Sequence, residues 1–249
     1  MKIVVIGGSG LIGKRLVSIL QERGHEVLSA SPRSGVNTLT GEGLDAALQG
    51  ASALVDVSNS PSFAADAVLD FFTRSTKNLL AAAKAAGVRH YVALSVVGAD
   101  RMPDSAYMPA KVAQERLIQA GGIPYTLLRA TQFYEFLGGI ADSSMIDGVA
   151  RVSTALMQPV AAADVSTALA ELVLSPPTMA IVELAGPEAA TMASLVARYL
   201  TAVHDPRTVT ADPEALYFGE RVDDRSLTPG DRPRLGAQRL EDWLKMLAP

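Results

Sequence analysis

Glycines at positions 8, 10 and 13, with a further one at Gly7, follow directly on the apolar run Ile3-Val4-Val5-Ile6. This spacing constrains the fold more than any other stretch of the chain. The β-branched run reads as a strand. The residues beyond Gly10 read as a helix that places Ile12, Leu16, Ile19 and Leu20 on one face before stopping at Gly24. A strand that passes into a helix through glycines brings bare backbone and the free N–H groups of a helix start to one point, where a phosphate is favoured. Gly7, Gly8, Ser9, Gly10, Leu11, Ile12 and Gly13 are therefore read as the cradle of a dinucleotide's pyrophosphate, against the plainer reading of a tight turn that only packs.

The rest of the first half repeats the alternation. Glu26 to Ala30, Ala53 to Val57, Tyr91 to Ser95 and Tyr125 to Arg129 read as strands, and further helices begin near Phe63 and Pro109. Strands that alternate with helices imply a parallel sheet covered on both faces, a doubly wound α/β Rossmann fold. After about Gly138 the pattern loosens into a helix at 163–174, a strand at 180–184 and helices at 192–203 and 240–247. No Ser/Gly linker separates the halves. Residues 1–249 are therefore read as a single Rossmann-type domain in which roughly 138–249 form a small C-terminal substrate-covering region.

Ligands of such sheets lie beyond the carboxyl ends of the strands. NAD-selective sites place a carboxylate at the end of the second strand to accept from the ribose 2′-hydroxyl. Here that segment runs Val27-Leu28-Ser29-Ala30-Ser31-Pro32-Arg33-Ser34-Gly35, with no carboxylate. Ser31 and Arg33 supply a hydroxyl and a guanidinium where a 2′-phosphate would lie, so NADP (NADPH) is the expected cofactor. The alternative for Arg33 is an ordinary solvated loop arginine. Ser58, just past the third strand, joins the cofactor-binding candidates.

Composition narrows the partners. With no cysteine and three histidines without ligand spacing, disulfides, thiolate nucleophiles and a metal site are not expected. A net charge of -4 with no basic block argues against nucleic acid. No apolar run is of membrane-spanning length and no cleavage site follows the N-terminal strand, so the reading is a cytoplasmic protein without membrane contact, acting on a small-molecule substrate. A homodimer is left open.

Further motifs carry a resemblance. Val88-Arg89-His90-Tyr91-Val92-Ala93-Leu94-Ser95, Tyr107-Met108-Pro109-Ala110-Lys111 followed by Glu115, Pro124 to Arg129, Pro159 to Val165 and Glu183-Leu184-Ala185-Gly186-Pro187 stand in order behind the glycine turn. Together they resemble the short-chain dehydrogenase/reductase superfamily, in its atypical branch alongside NmrA-like and NAD(P)H-binding reductases. The resemblance implies Tyr107, Lys111 and Ser95 as the catalytic group. Lys111 would hydrogen-bond the nicotinamide ribose and favour the ionised form of Tyr107, Tyr107 would donate a proton to a carbonyl oxygen, and Ser95 would hold that oxygen. Two features depart from the typical pattern. Pro109 belongs in a first helical turn, which leaves Tyr107 at or before the helix start. Ser95 precedes Tyr107 by only 12 residues.

The stretch after the fifth strand resembles the start of a substrate pocket, with Thr131, Gln132 and Phe133 as its candidates. Phe136 and Leu137 read instead as the buried stripe of the next helix, and Asp164 as a helix-start cap. His25, His90 and His204 are assigned no role. The resemblance implies an NADP(H)-dependent oxidoreductase acting on a small carbonyl or quinone-like compound. The alternatives are a non-catalytic redox sensor of the NmrA type and, less suited for want of a C-terminal basic cluster, a sugar-nucleotide epimerase.

Overall fold

A computed structural model describes residues 1–247. The first half runs β1 (Lys2–Ile6), α1 (Leu11–Glu22), β2 (Glu26–Ala30), α2 (Leu44–Leu48), β3 (Ala53–Asp56), α3 (Ala65–Ala85), β4 (His90–Val96), α4 (Met108–Ala120) and β5 (Tyr125–Ala130). The second half comprises α5 (Leu137–Ser143), the short strands β6 (Met145–Ile146), β7 (Val149–Val152) and β8 (Leu156–Met157), α6 (Ala162–Leu174) and β9 (Ile181–Ala185). β10 (Ala190–Thr191), α7 (Met192–Ala202), β11 (Val209–Ala211), β12 (Arg234–Leu235) and α8 (Leu240–Lys245) complete it.

Seven strands form one parallel sheet in the order β12-β9-β5-β4-β3-β1-β2. The sequence-predicted strands and helices all appear, with ends moved by one or two residues, the margin at which helix and strand ends fray. β1 is buried on both faces. Val4 and Ile6 pack with Leu48, Leu79, Ala83, Tyr91 and Leu127 in one apolar cluster, while Ile3 and Val5 are buried on the opposite side, as expected of a sheet with helices on both faces. α1 closes with Gly24 N–H on Gln21 O at 2.9 Å and His25 N–H on Leu20 O at 3.1 Å, a paired ending that satisfies its last carbonyls.

The order matters for function. β2 and β3 flank β1, so the winding reverses between β1 and β3, and ligands of such sheets bind at that reversal. The register aligns Ile6 with Ala30 and with Asp56, and Asp56 with Ala93. Gly7, Ser31, Val57 and Leu94, each the next residue, therefore emerge side by side at the carboxyl ends.

The chain divides into two compact units. One comprises Met1–Arg129 with Val165–Val182; the other comprises Ala130–Asp164 and the chain from Glu183 onward. In the first, Ser166 Oγ donates to Ile12 O at 3.1 Å. In the second, Tyr134 and Tyr199 pack on Trp243, with ring centroids 5.6 and 6.3 Å apart. No helix among the described residues is long and apolar enough to cross a membrane.

One expectation is corrected in the second unit. Leu137 is fully buried, but Phe136 is 46% exposed. It ends the 3-10 turn Tyr134–Phe136 and stacks on Phe133 at 5.2 Å, because α5 begins only at Leu137 and never carries it onto the buried stripe. Asp164 stands at the start of α6 as the acidic residue of its first turn. Its carboxylate accepts the Gln238 N–H at 2.9 Å, while Glu135 receives the Ala162 N–H at 3.2 Å.

Candidate cofactor site

The glycines of the first turn differ in what they permit. Gly7 has φ +78°, and a Cβ there would lie 2.8 Å from Val57 O, so both its backbone conformation and the approach of the β3 loop demand glycine. A Cβ on Gly13 would meet Gly7 O at 2.2 Å and Gly8 Cα at 2.6 Å. Helix α1 can start this close to the turn only with nothing at position 13. Gly10 is different: its backbone is extended (φ -81°, ψ -177°) and its Cβ would meet only Gly7 O, at 3.3 Å.

The first i−4 bond of α1 is Lys14 N–H to Gly10 O at 3.1 Å. The amides of Leu11, Ile12 and Gly13 precede it and have no intrahelical acceptor. Ser9, Gly10 and Leu11 are exposed. The turn therefore presents N–H donors, the positive end of a helix and a concave backbone, a donor set that fits a pyrophosphate.

Beside it, β2 ends in a one-turn 3-10 helix, Pro32–Ser34. Ser34 Oγ accepts the Ser31 N–H and donates to Ser31 O, both at 2.9 Å. Ser31 is buried and Arg33 exposed. No carboxylate stands in the segment from Val27 to Gly35.

Past β3, Ser58 gives both its N–H and its O–H to Asp56 Oδ1, at 3.0 and 2.6 Å. On α4 the Lys111 side chain is 2% exposed. Its Nζ donates to Leu94 O at 2.9 Å and to Gln114 Oε1, and lies 4.2 Å from the centre of the Phe72 ring. Burial pulls this ammonium down to about 8, against the opposing pull of the Asp56 and Glu115 carboxylates. Leu94 precedes Ser95, so Lys111 is tethered one residue from it. The Ser95 hydroxyl is buried with no partner among the described residues.

Tyr107 caps the start of α4, with Pro109 in the first turn. Its hydroxyl donates to Asn59 Oδ1 at 2.9 Å and its ring packs edge-on against Phe72 at 5.8 Å. Burial first, and the Asp56 carboxylate second, push the phenol above the ordinary tyrosine range. Tyr107 and Lys111 thus both pack against the Phe72 ring.

The second unit holds the pocket candidates. Thr131 and Gln132 are buried, and neither Thr131 Oγ1 nor Gln132 Oε1 has a partner among the described residues. Burial raises the Tyr217 phenol above the ordinary tyrosine range, against a lowering pull from the Gln132 amide, and Phe133 is half-buried against Phe136. Asp56, Gln114, Asn59 and Tyr217 were not among the sequence candidates. A carboxylate closing an otherwise apolar strand at the winding reversal was the available signal for Asp56.

Comparison with known proteins agrees with this construction. Residues 7–176 match the NAD(P)H-binding family. The photosystem II assembly factor Ycf39 of Synechocystis is 25% identical over 175 residues, covering 65% of this chain and 54% of that protein. The (4-alkanoyl-5-oxo-2,5-dihydrofuran-3-yl)methyl phosphate reductase of Streptomyces griseus is 28% identical over 144 residues, 53% of this chain and 48% of that protein. The chain thus spans about half the length of the curated relatives it matches. A short-chain dehydrogenase/reductase superfamily protein from Agrobacterium tumefaciens, crystallised with NAD, shares the fold: TM-score 0.74 at 19% identity, over 99% of this chain and 96% of that one.

Proposed function

The chain belongs to the NAD(P)H-binding family, and from that premise we propose that it is an NADP(H)-dependent oxidoreductase of the atypical short-chain dehydrogenase/reductase type, acting on a small carbonyl or quinone-like substrate. The observation that carries this reading is the tether of Lys111 to Leu94 O, beside Ser95 and in the same row of strand ends as the glycine cradle.

Backbone N–H groups of Gly7 to Gly13 hold the pyrophosphate, Ser31 and Arg33 the 2′-phosphate, and Ser58 and Lys111 the ribose. Bound there, the nicotinamide supplies or accepts hydride. Ser95 Oγ orients the substrate oxygen and the Tyr107 hydroxyl holds the proton it receives. Thr131, Gln132 and Phe133 line the substrate pocket.

One observation favours a second reading, a non-catalytic sensor of NADP(H). The Tyr107 hydroxyl is engaged by Asn59 and its proton is held more firmly than in an ordinary tyrosine. NADPH oxidation against a panel of quinones and aldehydes separates the two. Turnover on any member supports the enzyme, whereas NADPH binding without turnover on all of them supports the sensor.

A further inference from the structure

β3 is apolar until its last residue, Asp56, a carboxylate 1% exposed that the proposed chemistry leaves unused. A buried carboxylate is tolerable only when its oxygens are filled. Here Oδ1 accepts both donors of Ser58, while Oδ2 accepts the Tyr91 hydroxyl at 3.3 Å and Gln114 Nε2 at 3.0 Å. The last bond fixes a direction. With its nitrogen on Asp56, the Gln114 carboxamide turns its oxygen to Lys111 Nζ, three residues back on the same face of α4. Leu94 O takes a second N–H of the ammonium, and the Phe72 ring stands 4.2 Å from Nζ.

The geometry points to Asp56 as a positioning residue that sets, through Gln114, the direction and the charge of the Lys111 ammonium. This rests on the reading of Lys111 as a cofactor ligand. A carboxylate only accepts, whereas an asparagine at position 56 must turn an NH2 toward one of the donors around it. Reversal of Gln114 relieves that clash and sets a second donor against the ammonium. The charge argument runs the same way. The charged groups acting on Lys111 are Asp56 from β3 and Glu115 from α4; Tyr91 from β4 bonds Asp56, and Tyr107 before α4 shares the Phe72 ring. Of these, Glu115 is committed to Arg129 through bonds of 2.8 and 2.7 Å, and both phenols are pushed up by burial and by Asp56. Asp56 is thus the uncommitted negative charge that keeps the buried lysine protonated.

The test is the dissociation constant of NADPH between about pH 6 and pH 10, read from NADPH fluorescence, for the parent, Lys111→Ala, Asp56→Asn, Gln114→Leu and the double variant Asp56→Asn/Gln114→Glu. The parent should bind evenly up to about pH 8 and weaken above it as Lys111 deprotonates. Asp56→Asn should weaken binding about tenfold at neutral pH and move the midpoint down by at least about one pH unit. The double variant should recover to within about threefold of the parent, because a carboxylate at 114 accepts from the amide at 56 and from Lys111 together. Gln114→Leu, which leaves the Asp56 charge in place, should weaken binding about fivefold with the midpoint near the parent's, and it carries the test if Asp56→Asn fails to fold. A parent-like pH profile in Asp56→Asn or parent affinity in Gln114→Leu overturns the positioning role, as does a double variant no tighter than the single. Parent affinity in Lys111→Ala overturns instead the ribose-ligand reading on which the role rests.

Discussion

Alanine at Gly10 and at Gly13 should separate packing from ligand binding within one turn. At position 13 the new methyl would stand 2.2 Å from Gly7 O and 2.6 Å from Gly8 Cα. Both are backbone atoms that can yield only by moving the helix start. Overpacking of this kind costs about 1 to 3 kcal/mol. In a chain of this size about 1 kcal/mol corresponds to about 2 to 4 °C, so Gly13→Ala should lower Tm by about 2 to 12 °C. At position 10 the backbone is already one that alanine adopts, and the methyl meets only Gly7 O at 3.3 Å. Gly10→Ala should leave Tm within about 2 °C of the parent. A methyl added within the turn should crowd a pyrophosphate held on the free N–H groups of α1, so NADPH affinity should fall at least about tenfold. Differential scanning fluorimetry and NADPH titration on the two variants read both quantities. Parent-like affinity in Gly10→Ala would refute the cradle, and an unchanged Tm in Gly13→Ala would refute the packing argument.

Arg33→Ala should weaken NADPH by about 10- to 150-fold, the equivalent of one charge-assisted contact, and leave NADH nearly unchanged; equal losses for both would make Arg33 a loop-shaping residue. Tyr107→Phe should keep cofactor affinity and lower kcat at least about tenfold on a confirmed substrate, an outcome that parent-rate turnover would refute. His90 is buried with Nε2 3.0 Å from Thr126 Oγ1, and burial lowers its pKa against a raising backbone bond to Val173. The unfolded chain then binds the proton more readily. The contribution of His90 is complete above the ordinary imidazole value and declines as pH falls below it, by up to about 1.4 kcal/mol per pH unit. Denaturant melts at pH 5, 6 and 7 should therefore show a shallower acid slope in His90→Asn than in the parent, and identical slopes would remove His90 from the account.

The sheet was legible because its central strands are short apolar runs between turn signals, as in Ala53–Asp56, buried throughout. β12 carried no such pattern. It is two exposed residues, Arg234 and Leu235, paired in parallel with Leu184 and Ala185 of β9, and α2 is a single turn of five residues. The glycine turn before α1 and the place of Lys111 on α4 were readable from local spacing, since a turn and a helix face are short-range objects. The Asp56–Gln114 bond joins residues 58 apart and exists only because β3, β4 and α4 lie side by side, which no local spacing encodes. Phe136 was misread for the opposite reason: the apolar period continued through it, but the helix did not begin until the next residue.

The central claim is that the glycine turn holds a nicotinamide dinucleotide and that the segment after β2 selects its phosphate. Calorimetric titration of the protein with NADPH and with NADH, at one ionic strength, addresses both parts directly. The account predicts saturable binding of NADPH at one molecule per chain, at least about tenfold tighter than NADH. NADH binding as tight as NADPH would contradict the selectivity, and no saturable binding of either nucleotide would contradict the site itself.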